Sequence, residues 1–593
     1  MNIVYKINAA LKQFSTGDKK SAYKKLKKIF DKNKHNDLLR FNLAVVEQTL
    51  NLNKESKDNY LYLINKNNNI KAMINLYLLF LKEDNYPKAL FFIDKIIQTN
   101  QYSISTIKDK AFVLYKLKYY DESIKICESY SNNNDPEFLN ILGLNYLSKK
   151  NISKAEKIFK SGLLIDNQNP LILNSLGRMY HEKRDSINAE KYLVRANKIK
   201  NNSYEIINNL AGFYREETKY DKAIDLYKKA LKINPNSPAI INNLAKVYFD
   251  IDNLDLAKKY CLKALSLNHE DGNIQKILSL IYLREQNYKK GWEYFDGRLN
   301  ISDFEERNES IKIIRNKIPI KNKVNINSKV LILREQGVGD EILYGTMYSD
   351  LLQSFKDVTI ECDKRLKKLF KNTFPKYKKS FVNLGKFSEN SDSLSQYENI
   401  IYAGSLGKYF RNDIKEFRDG NYLRADKKLI DKSKKILENL DGKINIGISW
   451  KSFKNRYSGE KSLNLEDFLE IFKTENCNFI NLQYGDVERE VIEFNKRYNQ
   501  NIFTIDDLDL FENFDYLAAF LKNLDLFISV SNSTSHLAGA LGVKTLLVKP
   551  INHALFHYWN QPDNKTPWYN SITLLDKNDV IHNIDLISKA LDL

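Results

Sequence analysis

The sequence predicts an α-helical solenoid followed by a two-lobed α/β unit, and three observations predict it. Residue types recur at a step of 34 through the first half, and the recurrence stops after Arg298. Beyond that point short apolar runs alternate with helical patterns, joined by turns rich in glycine or in small hydroxyl side chains. A chain of 593 residues has room for more than one domain with a full core. Its 43% hydrophobic and 28% charged content is that of ordinary globular chains and argues against disorder.

In the first half, Ala155, Ala189, Ala223 and Ala257 share one column, and Gly143, Gly177, Ala211 and Ala245 another. Leu142, Leu176, Leu210 and Leu244 recur with them, as do Tyr146, Tyr180, Tyr214 and Tyr248. A small residue at two fixed positions lets paired helices approach closely, while Leu and Tyr fill the gap to the next pair. These columns resemble the tetratricopeptide repeat, whose late proline stands here once, as Pro235. Ala22, Ser56, Ala89 and Ser123 hold the second small position upstream, and Gly291 holds it downstream. About nine units are expected over residues 1–298, the outer ones atypical as capping units are. The resemblance implies a curved solenoid whose concave face holds a peptide or protein partner, or one that scaffolds or oligomerises the second half.

A charged connector is expected over 299–327. Then Val330–Leu333 reads as a strand, Gly337 and Gly339 as a tight turn, and Ile342–Phe355 as a helix. The third glycine of a dinucleotide fingerprint is replaced by Ile342, and no phosphate-binding G-x-x-x-x-G-K-[ST] loop occurs. Val358–Cys362 and residues 399–406 give two further strands. A second set follows: strands over 444–450, 478–486 and 524–530, helices in LNLEDFLEIFKT and FDYLAAFLKNL, and a strand after Gly542. Between the 524–530 strand and its helix lie Ser531, Asn532, Ser533, Thr534 and Ser535. Such residues cap helices, and a strand that ends in this turn presents N–H groups and a positive dipole end, an anion site suited to phosphate. Alternating strands and helices imply parallel sheets with ligands off the carboxyl ends of the strands.

EQGVGDEILYG, TIECDKRLKKLF, NYLRAD, GISWKS, GEKSLNL, NLQYGD, LDLFISVSNSTSHLAGALG and PWYNS follow one another in this half. In that order they resemble bacterial proteins that join tetratricopeptide repeats to a glycosyltransferase family 9 domain, the heptosyltransferase-like enzymes of GT-B fold. The last repeat carries a related signature in Gly291, Trp292, Phe295 and Arg298, with Phe at the usual tyrosine. The resemblance implies an N-terminal lobe over 328–425 and a nucleotide-sugar-binding lobe over 426–593. It also implies inverting transfer from a nucleotide-diphosphate sugar without a bound metal or other cofactor, to a glycan, lipid-linked or protein acceptor.

By the same resemblance Asp340 is the expected catalytic base, though an aspartate there also serves as a helix-start residue. Gln336, Gly337 and Gly339, in its turn, are expected to bind substrate. Lys461 is the expected donor-phosphate cation with Lys451 nearby, and Asn532, Ser533, Thr534 and His536 form the phosphate turn. Relatives carry a carboxylate at the start of that turn where this chain has Ser531-Asn532-Ser533. Gln483 and Tyr484 are expected to hold the nucleotide or to pack. His553 and His557 lack the intervening Glu of a zinc-binding helix, and Asp507-Leu508-Asp509 reads as an acidic helix start.

Net charge is +19, from 93 basic and 74 acidic residues, but the lysines are spread throughout with no Arg-rich block or aromatic-basic motif. Nucleic acid is therefore not an expected partner, while peripheral contact with an anionic membrane stays open. No apolar run reaches the ~18–20 residues that span a bilayer, and MNIVYKINAALKQF lacks a signal-peptide pattern, so a cytoplasmic location is expected. Cys127, Cys261, Cys362 and Cys477 lack metal-ligand spacing and are expected as buried apolar residues.

Overall fold

The structure, a computed structural model, describes residues 3–130, 135–300, 327–383, 394, 396–440, 444–453, 458–506, 508–551, 556–559, 564–581 and 585–591. The interior of the expected connector, together with His553 and Asp507, lies outside the described residues. The chain divides into two compact units, Met1–Pro235 and Asn236–Leu593. No described helix is long and apolar enough to cross a membrane.

The first 300 residues are a helical repeat array. Eighteen described helices, from Ile3–Ser15 to Tyr288–Phe295, pack as successive pairs, the last two pairs belonging to the second unit. The turn inside each pair holds one left-handed residue: Gly17, Asn51, Asp84, Lys118, Lys150, Arg184, Thr218, Asp252 and Gln286. After Gly17, all have φ between 55° and 66° without being glycine.

The local bonding shows how the turn is closed. At Arg184 the N–H bonds to the His181 carbonyl at 2.9 Å, and the next N–H, from Asp185, reaches back to Tyr180 at 2.9 Å. This is a Schellman-type closure. The Asp185 carboxylate then accepts the Asn188 N–H at 3.0 Å and starts the second helix. One residue thus ends one helix and caps the next, as Asn85, Asn151, Asn253 and Asn287 do in their pairs.

The small columns allow close helix approach, for a Cβ on Gly177 would lie 2.5 Å from Leu193 Cγ. The column tyrosines reach a preceding repeat: Tyr180 and Tyr214 donate to Glu156 and Glu190, each at 2.8 Å.

The remainder contains two parallel sheets. In the first, β1 (Lys329–Leu333), β2 (Asp357–Cys362), β3 (Phe381–Asn383) and β4 (Asn399–Tyr402) lie in the order β3-β2-β1-β4. In the second, β5 (Ile444–Ser449), β6 (Cys477–Asn481), β7 (Ile502–Phe503), β8 (Leu526–Val530), β9 (Thr545–Val548) and β10 (Ile572–Leu575) lie in the order β10-β9-β8-β5-β6-β7. Chain order reverses between β1 and β4 and again between β5 and β8. At such a reversal the connections leave to opposite faces and open a crevice at the carboxyl ends of the strands.

Some expected elements differ. The helix expected over Ile342–Phe355 is two, Val338–Gly345 and Tyr348–Ser354. Tyr422 crowds Gly345 there and donates its hydroxyl to the Ile342 carbonyl at 2.8 Å. LNLEDFLEIFKT forms two 3-10 turns, Leu465–Phe468 and Ile471–Lys473, which suit its three-residue apolar spacing. The strand begun at Asn399 ends at Tyr402. Cys127, Cys261 and Cys362 are buried, but Cys477 is only half-buried.

Candidate functional site

The first reversal point is built at the end of β1. Glu335 leaves the strand fully buried and accepts two bonds from Arg298 of the last repeat, Nε to Oε2 at 3.0 Å and Nη2 to Oε1 at 2.7 Å. The Gly404 N–H, from the turn after β4, donates to the same carboxylate at 2.5 Å and closes the reversal point. Burial works against the Arg298 charge, but Glu335 carries its pKa upward. Gln336 follows, exposed and left-handed at φ 62°.

Gly337 and Gly339 complete the turn, and Asp340 stands in the first turn of helix Val338–Gly345. Its Oδ2 accepts the Gly337 N–H at 3.1 Å, so it does close the helix start. Its Oδ1 lies 3.5 Å from the Tyr558 hydroxyl. Burial first, and then the Asp340 charge, push Tyr558 far above the usual tyrosine range and keep it a proton donor.

The second reversal point is tied by side chains. At the end of β8, Asn532 accepts the Ser535 N–H at 3.0 Å and donates across the reversal point to Ser449 Oγ, at the end of β5, at 2.8 Å. Gln483 Oε1 gathers the Ser449 hydroxyl and the Trp450 and Lys451 N–H groups at 3.0, 2.9 and 2.6 Å. Asn532 and Gln483 therefore join strand ends to one another. The helix Ser533–Leu541 begins above them, with Thr534 and His536 buried and Ser533 partly open. His536 Nδ1 lies 3.2 Å from the Tyr569 hydroxyl, and its ring packs on Trp559 at 4.8 Å.

The two turns meet. A Cβ on Gly339 would lie 2.9 Å from His536 Cδ2 and 3.5 Å from Ser533 Cα, so glycine is required for this approach. The connector between the sheets holds the halves together: the Tyr422 and Leu423 N–H groups both donate to the Ala540 carbonyl, at 2.9 and 2.8 Å.

Lys461 reaches the same place by an aromatic route. Its Nζ lies 4.3 Å from the Phe556 ring centre, and Phe556 stacks on Tyr558 at 5.1 Å. Lys451 instead pairs with Glu490 at 2.5 Å. Half-buried Tyr484 packs against Phe453 at 5.5 Å and receives its N–H at 3.4 Å. Asp340, Gly339, Ser533, His536 and Lys461 are thus brought to one aromatic patch, and Lys451 and Tyr484 belong to another neighbourhood. His557 is buried between Trp292 and Phe295, and burial pushes its pKa down to about 3.

Sequence reasoning missed Glu335, Phe556 and Tyr558. The aromatic run Phe556-His557-Tyr558-Trp559 was the available signal. Beneath the turn it also missed Glu341, which accepts from Arg334 Nε and from the Asp363 N–H. Burial pushes the Glu341 carboxyl up to about 7 in spite of Arg334.

The first 300 residues are a helical repeat array of tetratricopeptide-like helix pairs, and family models match part of it. Residues 213–252 match the family described as TPR repeat, and residues 238–271 the one described as Tetratricopeptide repeat. Protein FlbA of Caulobacter vibrioides is 26% identical over 259 residues, 41% of this chain and 42% of FlbA. The match therefore spans about two fifths of that curated relative. Among solved structures, PilF of Pseudomonas aeruginosa aligns at 21% identity over 30% of this chain and 81% of its own, with a TM-score of 0.27. A thermophilic TPR protein of Thermus thermophilus aligns at 17% over 33% of this chain and 100% of its own, also at 0.27.

Proposed function

We propose that the α/β half is a glycosyltransferase of GT-B type, moving a sugar from a nucleotide-diphosphate donor to an acceptor recruited by the repeat array. The observation that carries this reading is the meeting of the Asp340 turn, at the reversal point of one sheet, with the helix start at Ser533, at the reversal point of the other. Reversal points are where parallel sheets take ligands, and here two of them face a common aromatic patch. Asp340 has one oxygen held by Gly337 and the other 3.5 Å from the Tyr558 hydroxyl, an arrangement that orients a base toward an acceptor hydroxyl. The acceptor oxygen attacks the anomeric carbon from the face opposite the leaving group, inverting it. The bond to the diphosphate breaks, and the helix start at Ser533 together with Lys461 receives the departing charge. Asn532 and Gln483 act below this, keeping the strand ends in register.

The acceptor is a glycan or a protein. The competing reading is a scaffold whose α/β half binds a nucleotide sugar without turnover or binds none. The test is calorimetry with a panel of nucleotide sugars, followed by a turnover assay on those that bind. Turnover that falls in Asp340→Asn with donor binding intact supports the transferase; binding without turnover in the wild-type chain supports the scaffold.

A further inference from the structure

Arg298 is fully enclosed and spends all its donors. Besides the two bonds to Glu335, Nη1 donates to the Phe295 carbonyl at 3.0 Å and to Asp296 at 3.2 Å, and Nη2 donates to Ser405 Oγ at 3.0 Å. Adhesion between the last repeat and the first sheet has other sources. The Trp292 indole N–H donates to the Arg411 carbonyl at 2.7 Å, Gly407 lies directly under its ring, and Tyr288 packs on Phe417 at 4.7 Å. A buried ion pair is a poor way to add adhesion, because well-packed apolar side chains commonly do as well. What a bidentate pair adds is a fixed direction.

Glu335 is a telling place to fix one. The next residue, Gln336, is a non-glycine in the left-handed region, and two glycines follow within three positions. A turn of that composition has many accessible states in isolation and holds one only if its entry is clamped. The clamp is double: Arg298 from the repeat side and the Gly404 N–H from the turn after β4. Asp340 is five residues further along the same turn.

We propose that Arg298, a residue of the repeat array, is a positioning residue for the Asp340 turn, so that the last repeat is a working part of the transfer site. The kinetic half of this claim rests on the transferase reading; the conformational half does not.

The test uses the full chain with Arg298→Lys, which keeps the charge and loses the fork, Glu335→Gln, which keeps the shape and loses the charge, and Trp292→Phe as an adhesion control. Amide hydrogen exchange over Gln336–Gly345 and donor turnover are measured in each. Expected for Arg298→Lys and Glu335→Gln is exchange faster by about tenfold or more in that segment. A kcat lower by about 10²-fold with an unchanged KM for the donor accompanies it. Trp292→Phe is expected to lower the melting temperature while leaving both readouts at wild-type values. The proposal is overturned if Arg298→Lys leaves the segment's exchange unchanged, or if Trp292→Phe speeds it equally. A wild-type chain that turns over no donor removes the transferase reading, and exchange alone then decides whether Arg298 sets the turn.

Discussion

The repeat array and the two-sheet unit place their charges differently. In the array, ion pairs such as Lys149–Asp121 and Lys183–Glu156 sit on the surface, and the interior is mainly Ala, Leu, Ile and aromatic, with Glu47 and Arg284 as buried charged exceptions. In the two-sheet unit, Glu335, Glu341 and Asp363 are buried close to the strand ends, Glu335 against Arg298 of the last repeat. The array is held by repetition of one apolar contact, which no single residue dominates. The turns of the sheets are held by particular polar pairs, such as Arg298 with Glu335 and Arg334 with Glu341. Perturbation should therefore be graded in the array and abrupt at the turns.

The largest effect is expected from Glu335→Ala, which leaves the Arg298 guanidinium buried without its carboxylate. A loss of about 3–5 kcal/mol is expected, against under about 1 kcal/mol for Lys149→Ala on the array surface. Urea unfolding followed by segment-resolved exchange reads both, and equal losses would break the comparison. On the proposed transferase reading, Asp340→Asn is expected to lower turnover by about 10²–10⁴-fold. The melting temperature should hardly move, since an amide oxygen still accepts the Gly337 N–H. A melting temperature that falls as far as in Glu335→Ala would make Asp340 chiefly a structural group.

The contrast extends to pH, with opposite signs. Glu341 is pushed up to about 7 by burial, above its ordinary 4.5, so the folded unit holds a proton that the unfolded chain releases. Its contribution is complete below about pH 4.5 and lost as pH rises through about 7, a change of up to about 3 kcal/mol. In the array, bonds from Lys160 and Lys183 hold Glu156 down at about 2, so its contribution is present above pH 4.5 and lost on acidification toward pH 2. Solvent screening at that site keeps it below about 1 kcal/mol. Glu341→Gln should remove the loss between pH 4.5 and 7, and Glu156→Gln the smaller loss below pH 4.5, in stability profiles of each variant. Loss in the same direction for both would deny the difference in burial.

Legibility in the sequence follows the same division. The array announces itself because each unit repeats the contacts of the last, so Ala155, Ala189, Ala223 and Ala257 carry one message four times. Its turns are the exception, since Lys118, Lys150 and Arg184 take a backbone conformation that sequence reading assigns to glycine. In the two-sheet unit β1 and β8 were readable as apolar runs, whereas β3 and β7, of three and two residues, are too short to show a pattern. The clamp on Glu335 joins residues 37 and 69 positions away, and no spacing rule encodes such a contact. Gln483 shows a further limit. Its place just past β6 does not tell whether its amide serves a ligand or the neighbouring strand, and it serves Ser449, Trp450 and Lys451.

Gly177→Ala sets packing against propensity within the array. Alanine favours a helix by roughly 1 kcal/mol over glycine. The new Cβ would meet Leu193 Cγ at 2.5 Å and its backbone nitrogen at 3.1 Å, and overpacking of this kind costs about 1–3 kcal/mol. Net destabilisation by thermal melting is expected; stabilisation would mean that the paired helices can part without loss.

The smallest effects compare one conformation in the two settings. Thr218 is exposed, β-branched and left-handed at φ 57°, which costs an L-residue about 1–2 kcal/mol. Thr218→Gly removes that strain at the expense of chain entropy, so a gain of about 0.5–1 kcal/mol is expected; Asn51→Gly should give less, because asparagine tolerates the conformation. Gln336 has φ 62° but stands directly before Gly337, with Gly339 close behind. Gln336→Gly relieves the same strain, yet under the proposed role of Arg298 it frees the turn that leads to Asp340. It should therefore leave the melting temperature level or slightly raised while lowering donor turnover and speeding exchange over Gln336–Gly345. A variant that gains stability without loss of either would place the left-handed residue of the Asp340 turn in the same class as those of the array, where the conformation only joins two helices.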